Sequence, residues 1–208
     1  MKKTFFYIFL LLILLNLSAC TNNNPEEDNQ ISLDSFYDVK YIPTSFDNVK
    51  GFKEIRNNTY ISDEYSDLQM LENDLNQKFL HSNLTDNNDV VYVLMREETM
   101  SQLFILPKTY DKDADGMPVI ISPASSPNIT VKWISDSQQN PVPNELLGLF
   151  EKAEEYSLKG TDILIVKTIS NNPRYSAFFK YENKTYRLEY FSDLDTIKSY
   201  INSFFEQI

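Results

Sequence analysis

The chain has 208 residues, 30 acidic against 19 basic side chains, a net charge of −11 and a single cysteine. No Lys/Arg cluster is available to neutralise phosphates, which excludes nucleic acid as a partner. One cysteine excludes an internal disulfide, and the absence of any glycine-rich fingerprint excludes a nucleotide phosphate loop.

The first element is a leader. Lys2 and Lys3 precede an unbroken apolar run from Phe5 to Leu15. As a helix this run covers about 16 Å, roughly half of a ~30 Å hydrocarbon core. It therefore reads as a signal peptide and not as a spanning helix. Leu17-Ser18-Ala19-Cys20 follows, with an aliphatic residue, two small ones and the sole thiol. Here the chain resembles bacterial lipoproteins and their lipobox. The resemblance implies cleavage before Cys20, a diacylglyceryl thioether on its sulfur, and acylation of the new amino terminus. It also implies a cell-membrane partner and an extracytoplasmic location. The implied anchor agrees with lipid physics, since one acyl chain holds marginally and two or more hold firmly.

Loss of residues 1–19 takes 208 residues to 189, and loss of Lys2 and Lys3 takes the charge from −11 to −13. An acidic body is repelled by an anionic membrane surface. Residues 20–33 form the lipidated cysteine and a polar tether containing Asn22-Asn23-Asn24 and Pro25, at most about 40 Å long when extended. Residues 34–208 are then a single α+β domain, expected to be mainly antiparallel sheet with about three helices.

Within it, "SFYDVKYI" from Ser35 reads as a strand. Ser62 reads as a helix N-cap with Asp63 and Glu64 in the first turn, and Tyr65, Leu68, Leu71, Leu75 and Phe79 as the buried stripe. Asn83 to Asn88 is a polar break. "VVYVLM" and "SQLFILP" form two strands around "REET", "PVIIS" a third, and "ITVKWIS" a fourth after the loop "SPASSPN". A helix is predicted over 144–157, after "QQNPVP". "DILIVKTI" is a β-branched strand closed by Asn171-Asn172-Pro173.

"YSAFFKYENKTYRLEYF" reads as a hairpin with its loop at Asn183-Lys184. That loop pairs Tyr181 with Tyr186, Phe179 with Leu188 and Ala177 with Tyr190, and sets Lys180 opposite Arg187. Ser192-Asp193-Leu194-Asp195 resembles a capping box opening a last helix striped by Leu194, Ile197, Ile201, Phe204 and Ile208. The segments from Asp89 and Asp162 align without a gap, which suggests two β-α-β-β units related by duplication. The bland alternative is that amphipathic hairpins resemble one another.

Candidate chemistry is sparse. Asp111, Asp113 and Asp115 followed by Gly116 match the opening of a calcium loop, but its twelfth position is Ser122 and not a bidentate Glu. An acidic solvated turn explains the same residues. His81 is the only histidine, without a nucleophile motif or further His or Cys for zinc, and reads as a helix-end residue complementing the dipole. Glu97-Glu98, Glu154-Glu155 and Asp193/Asp195 are carboxylate pairs of the kind glycosidases use, and equally a turn, a solvated helix face and a cap. Trp133, Tyr175, Tyr181, Tyr186 and Tyr190 are either core or a stacking surface. The reading that absorbs most of this is a monomeric, non-enzymatic, membrane-tethered module with no cofactor, binding a protein or envelope ligand. A carboxylate hydrolase and a calcium-stabilised adhesion or sensor domain are the alternatives.

Overall fold

A computed structural model describes residues 31–56, 58–96, 100–108, 110–119, 128–135, 150–206 and 208. Cys20 and its flanking leader lie outside the described residues, as do Glu97, Glu98, Ser122 and residues 144–149.

Among the described residues, nine strands form one antiparallel sheet. They are β1 (Lys53–Arg56), β2 (Thr59–Tyr65), β3 (Asp89–Met95), β4 (Met100–Leu106), β7 (Asn128–Ile134), β8 (Phe150–Leu158), β9 (Thr161–Thr168), β10 (Tyr175–Tyr181) and β11 (Lys184–Phe191). Their order across the sheet is β1-β2-β3-β4-β7-β11-β10-β9-β8. A separate small ribbon pairs β5 (Asp111–Lys112) with β6 (Pro118–Val119). Three α-helices accompany them: α1 (Asp34–Tyr37), α2 (Leu68–Leu75) and α3 (Leu194–Phe205), with one 3-10 turn at Asn83–Thr85. The expected α+β class, mainly antiparallel with about three helices, is what the described residues adopt.

Alternation along the strands divides the core between two faces. The front face takes Val90, Tyr92 and Leu94 of β3, Ile129, Val131 and Trp133 of β7, and Phe179, Tyr186 and Leu188 of the last hairpin. Leu71 and Leu75 of α2 and Ile197, Ile201, Phe204 and Phe205 of α3 belong to the same cluster. The intervening residues point to the back face. There Val91, Val93, Phe104 and Leu106 meet Tyr110 and Met117 from either side of the small ribbon. Leu164, Val166 and Phe178 meet Leu33, Phe36 and Tyr37. Between these apolar clusters Arg187 pairs with Glu189 at 2.8 Å, and Thr130 Oγ1 donates to Glu189 at 3.4 Å.

The N-terminal strap departs from expectation. "SFYDVKYI" is not a strand: Asp34–Tyr37 is a helical turn and the rest runs without a ladder. Its adjacent aromatics Phe36 and Tyr37 are both buried, which a helical turn permits and strand alternation opposes. The strap then leaves the back face and packs Ile42, Phe46, Val49 and Phe52 against the front cluster. Ile42 N–H donates to the Ile134 carbonyl at 3.0 Å, and Trp133 Nε1 donates to Thr44 Oγ1 at 3.1 Å. Residues 33–52 thus pack against both faces of the sheet.

Ser62 is no helix cap. It lies in β2 opposite Tyr92, and its hydroxyl donates to the Lys50 carbonyl. The helix starts five residues later, where Asp67 Oδ1 accepts from Gln69 N–H at 2.8 Å. The same capping chemistry occurs twice in "SDEYSD", and strand pairing claims the first copy. Asn76, left-handed at φ 51°, ends the helix, so Tyr65 belongs to β2 and Phe79 to the following loop.

The helix predicted over 144–157 is the largest error: residues 150–158 are the edge strand β8, paired with β9 from Phe150↔Thr168 to Leu158↔Thr161. "EKAEE" favours helix on propensity, but here tertiary pairing prevails. A register shift between Lys152 and Glu154 produces a bulge. The opposite edge, β1, also carries charges and a shift between Glu54 and Arg56. Both edges thereby oppose pairing with another chain.

The last hairpin forms, with its loop one residue earlier than predicted. Glu182 and Asn183 occupy it at φ 46° and 59°, so Tyr181 pairs with Lys184, Phe179 with Tyr186 and Ala177 with Leu188. Every partner moves by two residues, which preserves the face of each side chain. Lys180 therefore meets Thr185, and Phe178 meets Arg187, whose guanidinium lies 5.3 Å over its ring. Two successive positive φ values suit a type I′ turn, whose second position prefers glycine. Asn183→Gly is expected to stabilise the fold by about 0.5–1 kcal/mol, read as a higher denaturation midpoint.

The closing helix is capped by Asp193 and not Ser192. Asp193 Oδ1 accepts from Thr196 N–H at 2.7 Å, while Ser192 Oγ donates to Oδ2 at 2.9 Å. Of the predicted stripe, Ile197, Ile201 and Phe204 are buried, Leu194 is half-buried and Ile208 is 55% exposed; Phe205 is buried in its place. The Thr196 amide and hydroxyl hold the Asp193 carboxyl below its ordinary value. A depressed folded pKa contributes stability above the unfolded value and loses it as pH falls through the folded one. Asn caps a helix without the charge. The melting-temperature gap between wild type and Asp193→Asn is therefore expected to shrink between about pH 6 and about pH 2.

Candidate functional site

The calcium-like stretch forms the turn of the small ribbon. Asp113 Oδ1 accepts from Asp115 N–H at 3.0 Å and from Met117 N–H at 2.8 Å, and Asp113 N–H donates to the Met117 carbonyl at 2.9 Å. Gly116 takes φ +90°, open to glycine without strain. Asp111, Asp113 and Asp115 are all exposed, and among the described residues no three of His, Cys, Asp and Glu gather at a common point. The neighbouring Lys112 ties the ribbon to β2 through Asp63 at 2.6 Å, a bond that holds the Asp63 carboxyl below its usual range.

The predicted aromatic surface is largely core. Trp133 and Tyr186 are buried, and Tyr175, Tyr181 and Tyr190 are half-buried. Phe179 stacks on Tyr186 at 5.0 Å between ring centroids, and Tyr186 Oη accepts from Leu80 N–H at 3.0 Å. Burial pushes the Tyr186 hydroxyl's pKa up. The carboxylate pairs also find structural partners: Glu154 binds Lys198 at 2.7 Å, Glu155 binds Lys152 at 2.6 Å, and Asp193 caps α3.

A different place is concave. A cleft of about 360 Å³ opens where α2 begins, over the front face of β3 and β4. Its apolar lining is Leu68, Val90 and Ile105; the last two are direct register partners. Ser66 and Asp67 line it from the entry to α2, and His81, Ser82, Thr85, Asp86 and Asn88 from the segment that carries the 3-10 turn. Hydrogen bonds hold that second wall together. Ser82 Oγ accepts from Leu84 N–H at 3.2 Å and bonds to Ser203 of α3, while Thr85 Oγ1 donates to the Ser82 carbonyl at 2.8 Å. Asn88 N–H donates to the Thr85 carbonyl at 2.9 Å.

His81 enters this wall six residues beyond the end of α2, so it does not complement that helix's dipole. Its Nε2 lies 3.1 Å from Glu72 Oε1. Glu72 is 3% exposed, and the same Oε1 accepts from Phe79 N–H at 2.7 Å; Oε2 lies 3.5 Å from Lys78 Nζ. Lys184 is also buried nearby, its Nζ 5.3 Å over the Phe79 ring; burial pushes its pKa down while Glu182 and Glu72 oppose the shift.

Among the described residues no lysine or arginine lines the cleft, and neither Asp67 nor Asp86 has a cation at ion-pair distance. Sequence reasoning singled out His81 only as a helix-end residue and named none of the cleft's lining residues as a site. Asp67 and Asp86 sit nineteen positions apart in polar stretches, and only the return of the chain over β3 and β4 joins them.

No family model matches this chain. Comparison with characterised proteins and with solved structures likewise returns no match.

Proposed function

We propose that this chain is a lipid-anchored extracytoplasmic binding protein whose cleft at the start of α2 receives a small ligand. The cleft carries the proposal: it is concave, Leu68, Val90 and Ile105 line it beside a larger number of polar side chains, and one wall is held by its own hydrogen bonds. At about 360 Å³ it falls at the small end of small-molecule sites. The anchor rests on the apolar run to Leu15 and on Leu17-Ser18-Ala19-Cys20. Among the described residues no helix is long and apolar enough to cross a membrane. The charged, bulged edges of β1 and β8 support a monomer.

The proposed duplication is confined to the hairpins, because strand β8 occupies residues 150–157, where the second β-α-β-β unit would have its helix. The hairpins β3-β4 and β9-β10 occupy matching places either side of the central β7·β11 pair. Val90 and Tyr92 align with Ile163 and Ile165 on the front face, but Leu103 aligns with Ser176 while Ala177 is the front residue, so the second strand needs a one-residue insertion.

The test uses the sole histidine as a reporter. Ring resonances of His81 in the full-length protein in detergent are followed against a panel of amines, saccharides, short peptides and calcium chloride. A saturable shift with one organic class supports the cleft as a binding site. No shift with any of them rejects it, and a response to calcium alone returns attention to Asp111, Asp113 and Asp115.

A further inference from the structure

We infer that residues 40–49, the middle of the N-terminal strap, open as a unit of their own and uncover Trp133 and Tyr92 while the sheet stays folded. None of the cleft's lining residues belongs to this segment.

Both ends of the segment are pinned. Before it, Tyr37 and Val39 are buried, and Val39 N–H donates to the Tyr37 carbonyl at 2.9 Å. Lys180 Nζ donates to the Asp38 carbonyl at 3.0 Å. After it, Lys50 N–H donates to Tyr65 Oη at 2.9 Å, and the Lys50 carbonyl accepts from Ser62 Oγ. Tyr65 Oη in turn donates to Asp74 at 2.7 Å. Gly51 follows at φ +60°, a backbone conformation that glycine adopts without strain.

Between the pins the hold is thin. Among the described residues three hydrogen bonds join 40–49 to the rest of the fold: Ile42 N–H to the Ile134 carbonyl, Gln77 Nε2 to the Pro43 carbonyl at 2.7 Å, and Trp133 Nε1 to Thr44 Oγ1. The Thr44 hydroxyl and Val49 N–H donate within the segment, to the Ile42 and Phe46 carbonyls. Ile42, Phe46 and Val49 pack on the front cluster, yet no residue of 40–49 is itself buried. What they cover is wholly enclosed: Trp133, and Tyr92, whose ring stacks on Phe46 at 6.3 Å. Segments with few hydrogen bonds and shallow burial open below the free energy of global unfolding. The covered residues keep their own support when the segment lifts. Tyr92 and Trp133 sit in strands paired on both sides, their rings stack at 6.0 Å, and Tyr92 Oη bonds to Ser101 at 2.9 Å. Opening frees the Trp133 indole N–H and the Ile134 carbonyl, one donor and one acceptor beside an apolar surface.

The sole tryptophan reports on it. Urea unfolding of the full-length protein in detergent is followed by Trp133 fluorescence and by far-UV circular dichroism, and hydrogen exchange by NMR. The fluorescence transition is expected at lower urea than the circular-dichroism transition. The indole N–H and the Ile42 amide are expected to share one opening constant, at least about tenfold larger than that of the β7 ladder amides. Phe46→Ala is expected to lower the fluorescence midpoint and leave the circular-dichroism midpoint unchanged, because the segment is already open there. Coincident transitions in the wild type, or an indole N–H that exchanges as slowly as the β7 ladder, overturns the inference. So does a Phe46→Ala variant in which both midpoints fall together.

Discussion

Truncation of Phe204 to alanine is expected to lower the unfolding free energy by about 3–5 kcal/mol. The side chain is fully buried, and its ring lies 6.4 Å from that of Phe179 and 6.3 Å from that of Tyr186. The three rings link α3 to the final hairpin. Removing one leaves a cavity against two rings already held in place, Tyr186 by Leu80 N–H and both by their mutual stacking. The site therefore cannot collapse cheaply, which favours the upper part of the range. Urea unfolding should show a lower midpoint at an unchanged slope. A loss below about 1 kcal/mol would mean that α3 is not packed on this hairpin.

Glu72→Ala is expected to cost about 1–3 kcal/mol from the orphaned Phe79 N–H alone, and to release His81. Glu72 is the buried acceptor for the turn that follows α2, so its loss frees one wall of the cleft as well as one backbone donor. Glu72→Gln separates the two effects. Its side-chain oxygen still accepts from Phe79 N–H, so most of the stability is retained, while the charge facing His81 is gone. Denaturation midpoints read the first effect and the His81 ring resonances the second. Equal stability loss in both variants would contradict the assigned role of the Phe79 bond.

What was legible in the amino-acid order follows from local chemistry. "VVYVLM", "ITVKWI" and "DILIVKT" are β-branched or aromatic runs bounded by polar breaks, and each is a strand within a residue or two. The stripe Ile197, Ile201 and Phe204 needs only helical spacing to be recognised. The failures share one cause, competition from partners distant in sequence. "FEKAEEYSL" has helical propensity, but β9 offers it a ladder, with Lys198 of α3 reaching its Glu154. Ser62-Asp63-Glu64 has the chemistry of a helix start, but β3 pairs with it first. The hairpin loop moved by one residue because Lys184 is buried and extended while Asn183 accepts a left-handed conformation.

The cleft was illegible for the same reason. Asp67 presents itself in sequence as a polar residue before a helix, and Asp86 as part of a polar break. Both line one cleft, together with the register partners Val90 and Ile105. By contrast, Asp111, Asp113 and Asp115 form an explicit motif, and one of its oxygens, Asp113 Oδ1, accepts from the Asp115 and Met117 amides of its own turn.

Location underlies the functional account, since a binding cleft tethered outside the cell and one inside it serve different ends. Mass spectrometry of the N-terminal peptide from the membrane-extracted protein decides it. The account predicts a mature chain beginning at Cys20 with a diacylglyceryl group on its sulfur, and a Cys20→Ala variant that leaves the membrane fraction. An unmodified Cys20 thiol in an uncleaved chain, or a Cys20→Ala variant equally retained by the membrane, would contradict it.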